Sequence, residues 1–301
     1  MLRRNVLIFH TAALGDFVLT WPFAVALARI YAQSRIIYVT HREKGLLAER
    51  VLRLESTDVE AGWHGLYADG GALPERAGRM LAGAHAIYLF GSATPTWSGN
   101  VARLNPAATV VELPGPSATA GGEAVHASEQ LVGQLIHRKP EYEATRQILR
   151  SVADRGIGFG RSPGVDVVIH PGAGGADKCW PVERYAELAV RLKGEGRSVR
   201  ILIGEVERER WPAQQIERLA AVAQLKQPAT LVDLLWEIST AARFVGNDSG
   251  PGHLAGILGV PTLSLFGPTD PSRWHPLGPA VRSIHRFPMT DITVDEVASG
   301  L

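Results

Sequence analysis

Four short segments hold residue types that can take a proton or cradle an anion. The first is Ala13-Leu14-Gly15-Asp16. A carboxylate just after a glycine, at the opening of an apolar helical stretch, has two open readings. It can cap the helix and complement its dipole, or act as a general base on a hydroxyl brought close to the glycine backbone. The second is His170-Pro171-Gly172-Ala173-Gly174-Gly175-Ala176-Asp177-Lys178-Cys179-Trp180-Pro181. Bare backbone N–H groups, a helix start marked by Pro181 at its first position, and the full charge of Lys178 suit a diphosphate. A flexible turn with a solvated lysine is the alternative.

The third segment is Phe244-Val245-Gly246-Asn247-Asp248-Ser249-Gly250-Pro251-Gly252-His253-Leu254-Ala255. Asp248 and Ser249 are natural cap residues, and Gly250 and Gly252 keep the next helix start bare for an anion. His253 lies one turn in, on the face of Gly250, and is read as a ligand residue. The fourth, Leu263-Ser264-Leu265-Phe266-Gly267-Pro268-Thr269-Asp270-Pro271, ends a strand with Thr269 able to reach a phosphate or a sugar hydroxyl, or to serve a plain turn.

Other chemistries lack their residues. The run Gly172 to Asp177 misses the last glycine of the dinucleotide pattern. Neither a G-x-x-x-x-G-K-[ST] loop nor a G-x-S-x-G elbow is present. No D-x-D pair offers itself to a metal–diphosphate, and the ten histidines show no metal-ligand spacing. The expectation is a reaction without metal or cofactor, in which Lys178 and helix termini stabilise a leaving diphosphate.

The elements that position these segments alternate. Apolar runs rich in branched residues read as strands at Asn5 to His10, Arg35 to Thr40, His85 to Phe90 and Thr109 to Leu113. They recur at Val165 to His170, Ser198 to Ile203, Arg243 to Val245 and Thr262 to Phe266. Helical spacing predicts helices over Asp16 to Ile30 (with Pro22 a late start or a bend), Arg42 to Leu54, Ala124 to His137 and Glu141 to Ala153. Further helices are expected over Pro181 to Lys193, Glu207 to Ala221, Thr230 to Ser239, Gly250 to Leu258 and Asp291 to Leu301. Such alternation builds parallel sheets covered by helices on both faces. In a parallel sheet the second, third and fourth segments all emerge at one edge, which points to one binding site.

The segment Arg138 to Pro163, with its glycines 156, 158 and 160, reads as a linker. The domains expected are 1–160 and 161–301, with the last helix a candidate to pack back on the first domain. Residues 1–140 carry 13 Lys and Arg against 11 Asp and Glu, and the remainder 18 against 19. Neither balance suits nucleic acid. One cysteine, Cys179, allows no intrachain disulfide. The run Val6 to Phe9 is too short for a secretory core, and no stretch has the roughly 18 apolar residues of a membrane span. A cytoplasmic protein is expected, with room for peripheral contact at the inner face of the membrane.

Together the segments resemble family 9 glycosyltransferases, the ADP-heptose:lipopolysaccharide heptosyltransferases. The resemblance rests on Leu14-Gly15-Asp16, His170-Pro171-Gly172, Asp177-Lys178-x-Trp180-Pro181, Glu183-Arg184, Val245 to Ala255, Gly259-Val260-Pro261 and Leu265 to Pro271. It is dense from Val165 to Pro276 and, in the first half, confined to the first thirty residues. It implies a GT-B fold of two Rossmann-like domains facing a central cleft, acceptor on the first and donor on the second. It implies inverting, metal-independent transfer of a heptose or related sugar from a nucleotide diphosphate to a lipopolysaccharide-core or other glycan acceptor.

On that resemblance Asp16 is the general base and Lys178 the phosphate lysine. His170, Gly172, Ala173, Asp248, Ser249, Gly250, His253 and Thr269 line the donor. Of Glu205 and Glu207, Glu207 is preferred as the ribose residue. The middle, residues 56–161, matches little. There and just before it, Arg42, Lys44, Arg50, Arg53, Arg76 and Arg79 either meet an anionic acceptor or form a solvated face. Two other readings remain open. One is a different GT-B enzyme, a UDP-sugar transferase or a nucleotide-sugar epimerase. The other is a nucleotide-sugar-binding subunit without catalysis.

Overall fold

The computed structural model describes residues 4–115, 125–138 and 142–301. Among these, two compact units separate. The first holds residues 4–13, 20–115, 127–138 and 142–149; the second holds 14–19, 125–126 and 150–301.

The chain begins with β1 (Asn5–Phe9), α1 (Leu14–Leu19), α2 (Trp21–Ile30), β2 (Arg35–Thr40), α3 (Arg42–Leu52) and β3 (Glu55–Asp58). It continues with α4 (Glu75–Ala82), β4 (Ala84–Phe90), α5 (Pro95–Leu104), β5 (Thr109–Leu113), α6 (Ala127–Arg138) and α7 (Glu143–Arg155). Five parallel strands pair in the order β3-β2-β1-β4-β5. Every residue of β1 is buried, as an apolar central strand covered on both faces should be. One core gathers on Leu7, Phe9, Ile37, Val39 and Ile87. Phe9 there meets Trp63 and Trp97 edge-on, with centroids 5.3 and 5.6 Å away, the geometry that aromatic quadrupoles favour.

The second unit contains β6 (Val165–His170), α8 (Val182–Gly194), β7 (Val199–Leu202), α9 (Glu205–Arg210), α10 (Ala213–Val222), β8 (Gln224–Lys226) and α11 (Leu231–Ser239). It ends with β9 (Ala241–Asn247), α12 (Gly250–Ile257), β10 (Thr262–Phe266), α13 (Pro271–Trp274), β11 (Val281–His285) and α14 (Val294–Gly300). Its six strands are all parallel, in the order β11-β10-β9-β6-β7-β8. Val167, Ile169, Trp180, Tyr185, Leu188, Ile201, Val245 and Leu265 fill its core. α14 packs on α8 within this unit.

The sheets follow the expected doubly wound pattern, but several helices differ from their sequence expectations. The single helix over Asp16 to Ile30 is two. A new helix starts at Trp21 with Thr20 as its N-cap and Pro22 in its first turn, where a missing N–H costs nothing. The helix over Glu207 to Ala221 also breaks, at Trp211, whose backbone is extended because Pro212 follows it. Pro181 is the N-cap of α8 rather than its first helical residue. α6 begins at Ala127; Ala124 and Glu141, expected in helices, lie outside the described residues.

Candidate active site

In both sheets the strand order reverses at one point: β1 pairs with β2 and β4, and β6 with β7 and β9. Crevices at the carboxyl ends of such strands are where doubly wound folds bind ligands. The second and third segments follow β6 and β9, the two strands at the second sheet's reversal.

Asn247, the last residue of β9, is fully buried. Its Oδ1 accepts from the Trp180 backbone N–H at 3.0 Å and the Tyr185 hydroxyl at 2.8 Å. Its Nδ2 donates to the Pro171 carbonyl at 2.7 Å. One amide thus holds both ends of the glycine-rich loop. The sequence alone assigns Asn247 no role. The signal was there: a polar side chain closing an apolar strand must find partners.

Asp248 is the node of the site. Lys178 Nζ donates to its Oδ2 at 3.0 Å, and Thr269 Oγ1 donates to the same oxygen at 2.7 Å. His253 Nε2 stands 3.8 Å from Oδ1, a polar approach longer than a hydrogen bond. Burial alone would raise this carboxyl, but His253, Thr269 and Lys178 outweigh it and hold it at about 2. Asp248 is therefore anionic at neutral pH and joins the loops after β6, β9 and β10. The cap role open to it from sequence is not the one it takes. Ser249 is the N-cap of α12, and even its side chain makes no capping bond; the Ser249 Oγ is buried without a partner. The first turn of α12 thus carries no side-chain cap, the condition for meeting an anion.

Glu207 is buried, whereas Glu205 is exposed. The Gly204 backbone N–H donates to Glu207 Oε2 at 2.7 Å. A Cβ on Gly172 would lie 1.9 Å from Oε1. Only glycine at 172 leaves room for this carboxylate beside the loop. His170, also buried, directs Nδ1 to the Leu202 carbonyl at 3.0 Å. Burial holds its imidazole below the ordinary range, against the pull of Glu207. Ala173 lies half-buried in the same loop.

Asp16 is half-buried and third in α1, and α1 packs on α12 within the second unit. The contact needs two glycines. A Cβ on Gly15 would lie 3.0 Å from His253 Cδ2, and one on Gly250 would lie 2.8 Å from Leu14 Cβ. The helix bearing Asp16 therefore rests on the helix start that follows Asp248.

His126 lies between Val125 and Ala127, and nothing in that stretch of sequence marks it. Its Nε2 bonds the His275 carbonyl at 2.9 Å, and the two rings lie 4.4 Å apart. Burial first, then the charges of His275 and His253, bring its titration to about 4. The six basic residues of the first half include some with different settings. Lys44 is buried, Arg79 pairs with Glu75, and Arg42 and Arg76 line one small cavity with Ser56 and Thr57. Among the described residues, no three His, Cys, Asp or Glu side chains are grouped as metal ligands.

The sequence profile of glycosyltransferase family 9 (heptosyltransferase) matches residues 131–291, more than half of the chain. The chain belongs to glycosyltransferase family 9. Lipopolysaccharide heptosyltransferase 1 of Pseudomonas aeruginosa is 35% identical over 156 residues, covering 50% of this chain and 41% of that protein. Lipopolysaccharide heptosyltransferase 2 of Salmonella typhimurium is 36% identical over 120 residues, covering 38% of this chain and 34% of that protein. The chain thus spans about two fifths or less of these curated relatives. The solved ADP-heptose LPS heptosyltransferase II of E. coli superposes with a TM-score of 0.72 at 19% identity, covering 98% of this chain and 97% of that one. The family's fold, two Rossmann-like α/β units of the GT-B kind, is the fold seen here.

Proposed function

We propose that this family 9 chain is an inverting glycosyltransferase that moves a heptose from ADP-heptose to a lipopolysaccharide-core acceptor. The observation that carries the reading is the Asp248 node with α1 packed beside it. Loops after β6, β9 and β10 converge on one carboxylate, and the helix holding Asp16 lies against the start of α12. The family supplies the reaction class, and the names of its relatives supply heptose and lipopolysaccharide.

In the proposed step, Asp16 accepts the proton of an acceptor hydroxyl as its oxygen attacks the anomeric carbon. The bond from that carbon to the diphosphate oxygen breaks, and ADP leaves with the electron pair. The configuration inverts because attack and departure lie on opposite faces. Lys178, partly exposed, exchanges Asp248 for the diphosphate. With the uncapped start of α12 it takes the charge that a divalent cation would otherwise take. Glu207 Oε1 receives a ribose hydroxyl. His170, Gly172, Ala173, Ser249, Gly250, His253 and Thr269 complete the donor wall. The acceptor is a glycolipid, reached from the cytoplasmic side by peripheral contact with the membrane; among the described residues no helix is long and apolar enough to cross one.

The test combines calorimetry with ADP-, UDP- and GDP-linked sugars and turnover of the hit on core oligosaccharide, with and without a chelator. Asp16→Asn is expected to keep ADP affinity within about twofold and to lower kcat by about a hundredfold or more. Near-normal turnover in that variant removes the base assignment. Preference for a UDP-sugar, epimerisation without acceptor, or binding without turnover each replaces the reading. Loss of activity with chelator overturns metal independence.

A further inference from the structure

We propose that His253 is a positioning residue for the base: its imidazole is the surface on which Gly15 seats, and it thereby sets where α1 holds Asp16. The inference rests on the reading of Asp16 as the base and adds to the place of His253 in the donor wall.

Gly15 is the second residue of α1 and Asp16 the third. Glycine is an unfavourable choice in a helix, by up to about 1 kcal/mol against alanine. The Gly15 backbone does not lie in the left-handed region, so no turn calls for it. Close approach does. A Cβ at this position would lie 3.0 Å from His253 Cδ2 and 3.5 Å from its Nε2. The main chain of α1 therefore lies directly on the edge of the imidazole.

The ring has little freedom to move. His253 is 5% exposed, and α12 is buried from Gly252 to Ile257. Behind it α12 packs on α11, β9 and β10. The Nε2 end of the ring stands 3.8 Å from Asp248 Oδ1. Its Nδ1 is buried without a hydrogen-bond partner, so packing, rather than a bond on that side, fixes the ring. α12 is thus the fixed partner, and the six-residue α1 is laid upon it. A base must sit within hydrogen-bond reach of the proton it takes, and Asp16 is the residue next to the contact.

A methyl on Gly15 shows how much depends on this seat. Carbon atoms rest at about 3.5 Å or more from each other, so a methyl 3.0 Å from the ring would lift α1 by about half an ångström. A misplacement of about 1 Å can lower a rate about a hundredfold, so half of it lowers the rate about tenfold.

The test is a KM-against-kcat split for Gly15→Ala, made in the parent and again in a His253→Ala chain, with Asp16→Asn alongside. In the parent, kcat is expected to fall about tenfold while the donor KM and ADP affinity stay within about twofold. In the His253→Ala chain the methyl meets no ring, and its next neighbour, Gly250 Cα, is an ordinary 3.8 Å away. There the same substitution is expected to lower kcat by less than about threefold, a non-additivity that only touching residues give. A kcat within twofold of the parent, an equal fall in ADP affinity, or the same loss in both chains overturns the proposal. If Gly15→Ala does not fold alone, the double variant decides. A folded chain with the turnover of His253→Ala supports the seat, and failure of both to fold assigns Gly15 to structure and overturns it. Asp16→Asn separates the two ideas. If it keeps turnover, the base reading fails and the seat places nothing; if it loses turnover while Gly15→Ala does not, only the positioning role fails.

Discussion

Replacing Asp248 by Asn removes a charge while nearly keeping the shape, and the structure says how much that charge contributes. The carboxyl titrates at about 2 in the folded chain against an ordinary 3.8. Its side chain is 9% exposed, so solvent screening takes little from the effect. At about 1.4 kcal/mol per pKa unit, the charged form is favoured in the fold by about 2 kcal/mol. A depressed carboxyl stabilises the fold above its unfolded value and loses that contribution as pH falls through the folded one. The window therefore runs from about 4 down to 2. Asn imitates the protonated form, so Asp248→Asn should lose about 2 kcal/mol at pH 7. The difference from the parent should shrink below pH 4 and nearly vanish at pH 2. Urea unfolding read by tryptophan fluorescence measures it, since Trp180 is buried in the same unit. Taking the difference between the two chains cancels the other carboxylates. A gap below about 0.5 kcal/mol at pH 7, or one that stays constant with pH, would refute the argument that His253, Thr269 and Lys178 hold this charge.

Two further substitutions test the walls of the site. Gly172→Ala places a methyl 1.9 Å from Glu207 Oε1, so the carboxylate must leave its place. The donor KM should rise about tenfold, which is about 1.4 kcal/mol and the low end of what a hydrogen bond to a charged group contributes, while Gly174→Ala, with open space around its Cβ, should change nothing. An unchanged KM in Gly172→Ala means that Glu207 does not hold the donor. Asn247→Ala strands Trp180 N–H, the Tyr185 hydroxyl and the Pro171 carbonyl. About 3 kcal/mol of stability should be lost, with weaker ADP binding in calorimetry; a stable variant with normal ADP affinity would show that this amide does not shape the loop.

What the sequence revealed follows from where apolar residues concentrate. β2, β5, β6 and β10 match their expected bounds because each is built around branched and other apolar residues. The strands left unrecognised, β3, β8 and β11, are three of the four strands at the sheet margins. Glu55-Ser56-Thr57-Asp58 has no apolar residue at all. Such a strand forms because its neighbour offers a free ladder, which is a tertiary cause. α5 was also passed over, although Thr94 before Pro95 is a readable start. The Thr94 side chain accepts from the Trp97 N–H and Pro95 opens the helix. In the site, the loops were legible because glycine, proline and strand-end chemistry are local. Their wiring was not. That Lys178, Thr269 and Asp248 share one oxygen, or that Gly172 makes room for Glu207, depends on residues 21 to 70 positions apart meeting across neighbouring strands.

Two lysines illustrate how burial separates roles that residue type leaves equal. Each lies beside a point where its sheet reverses. Lys44 is 8% exposed and bonds the Thr11 and Ala12 carbonyls of the main chain. Lys178 keeps 31% of its side chain exposed and bonds a carboxylate. In the proposed reading an arriving diphosphate replaces that carboxylate, because it brings more negative charge and water already reaches the ammonium. The freed Asp248 still has Thr269 as a donor and His253 beside it, so it does not become an isolated buried charge. The exchange is feasible because the carboxylate that loses Lys178 has other partners already in place. A site in which Lys178 were its single neighbour would resist the ligand. On this argument Thr269→Val, which removes the second donor, should make the exchange costlier and weaken ADP binding although the methyl-for-hydroxyl change leaves Lys178 itself intact.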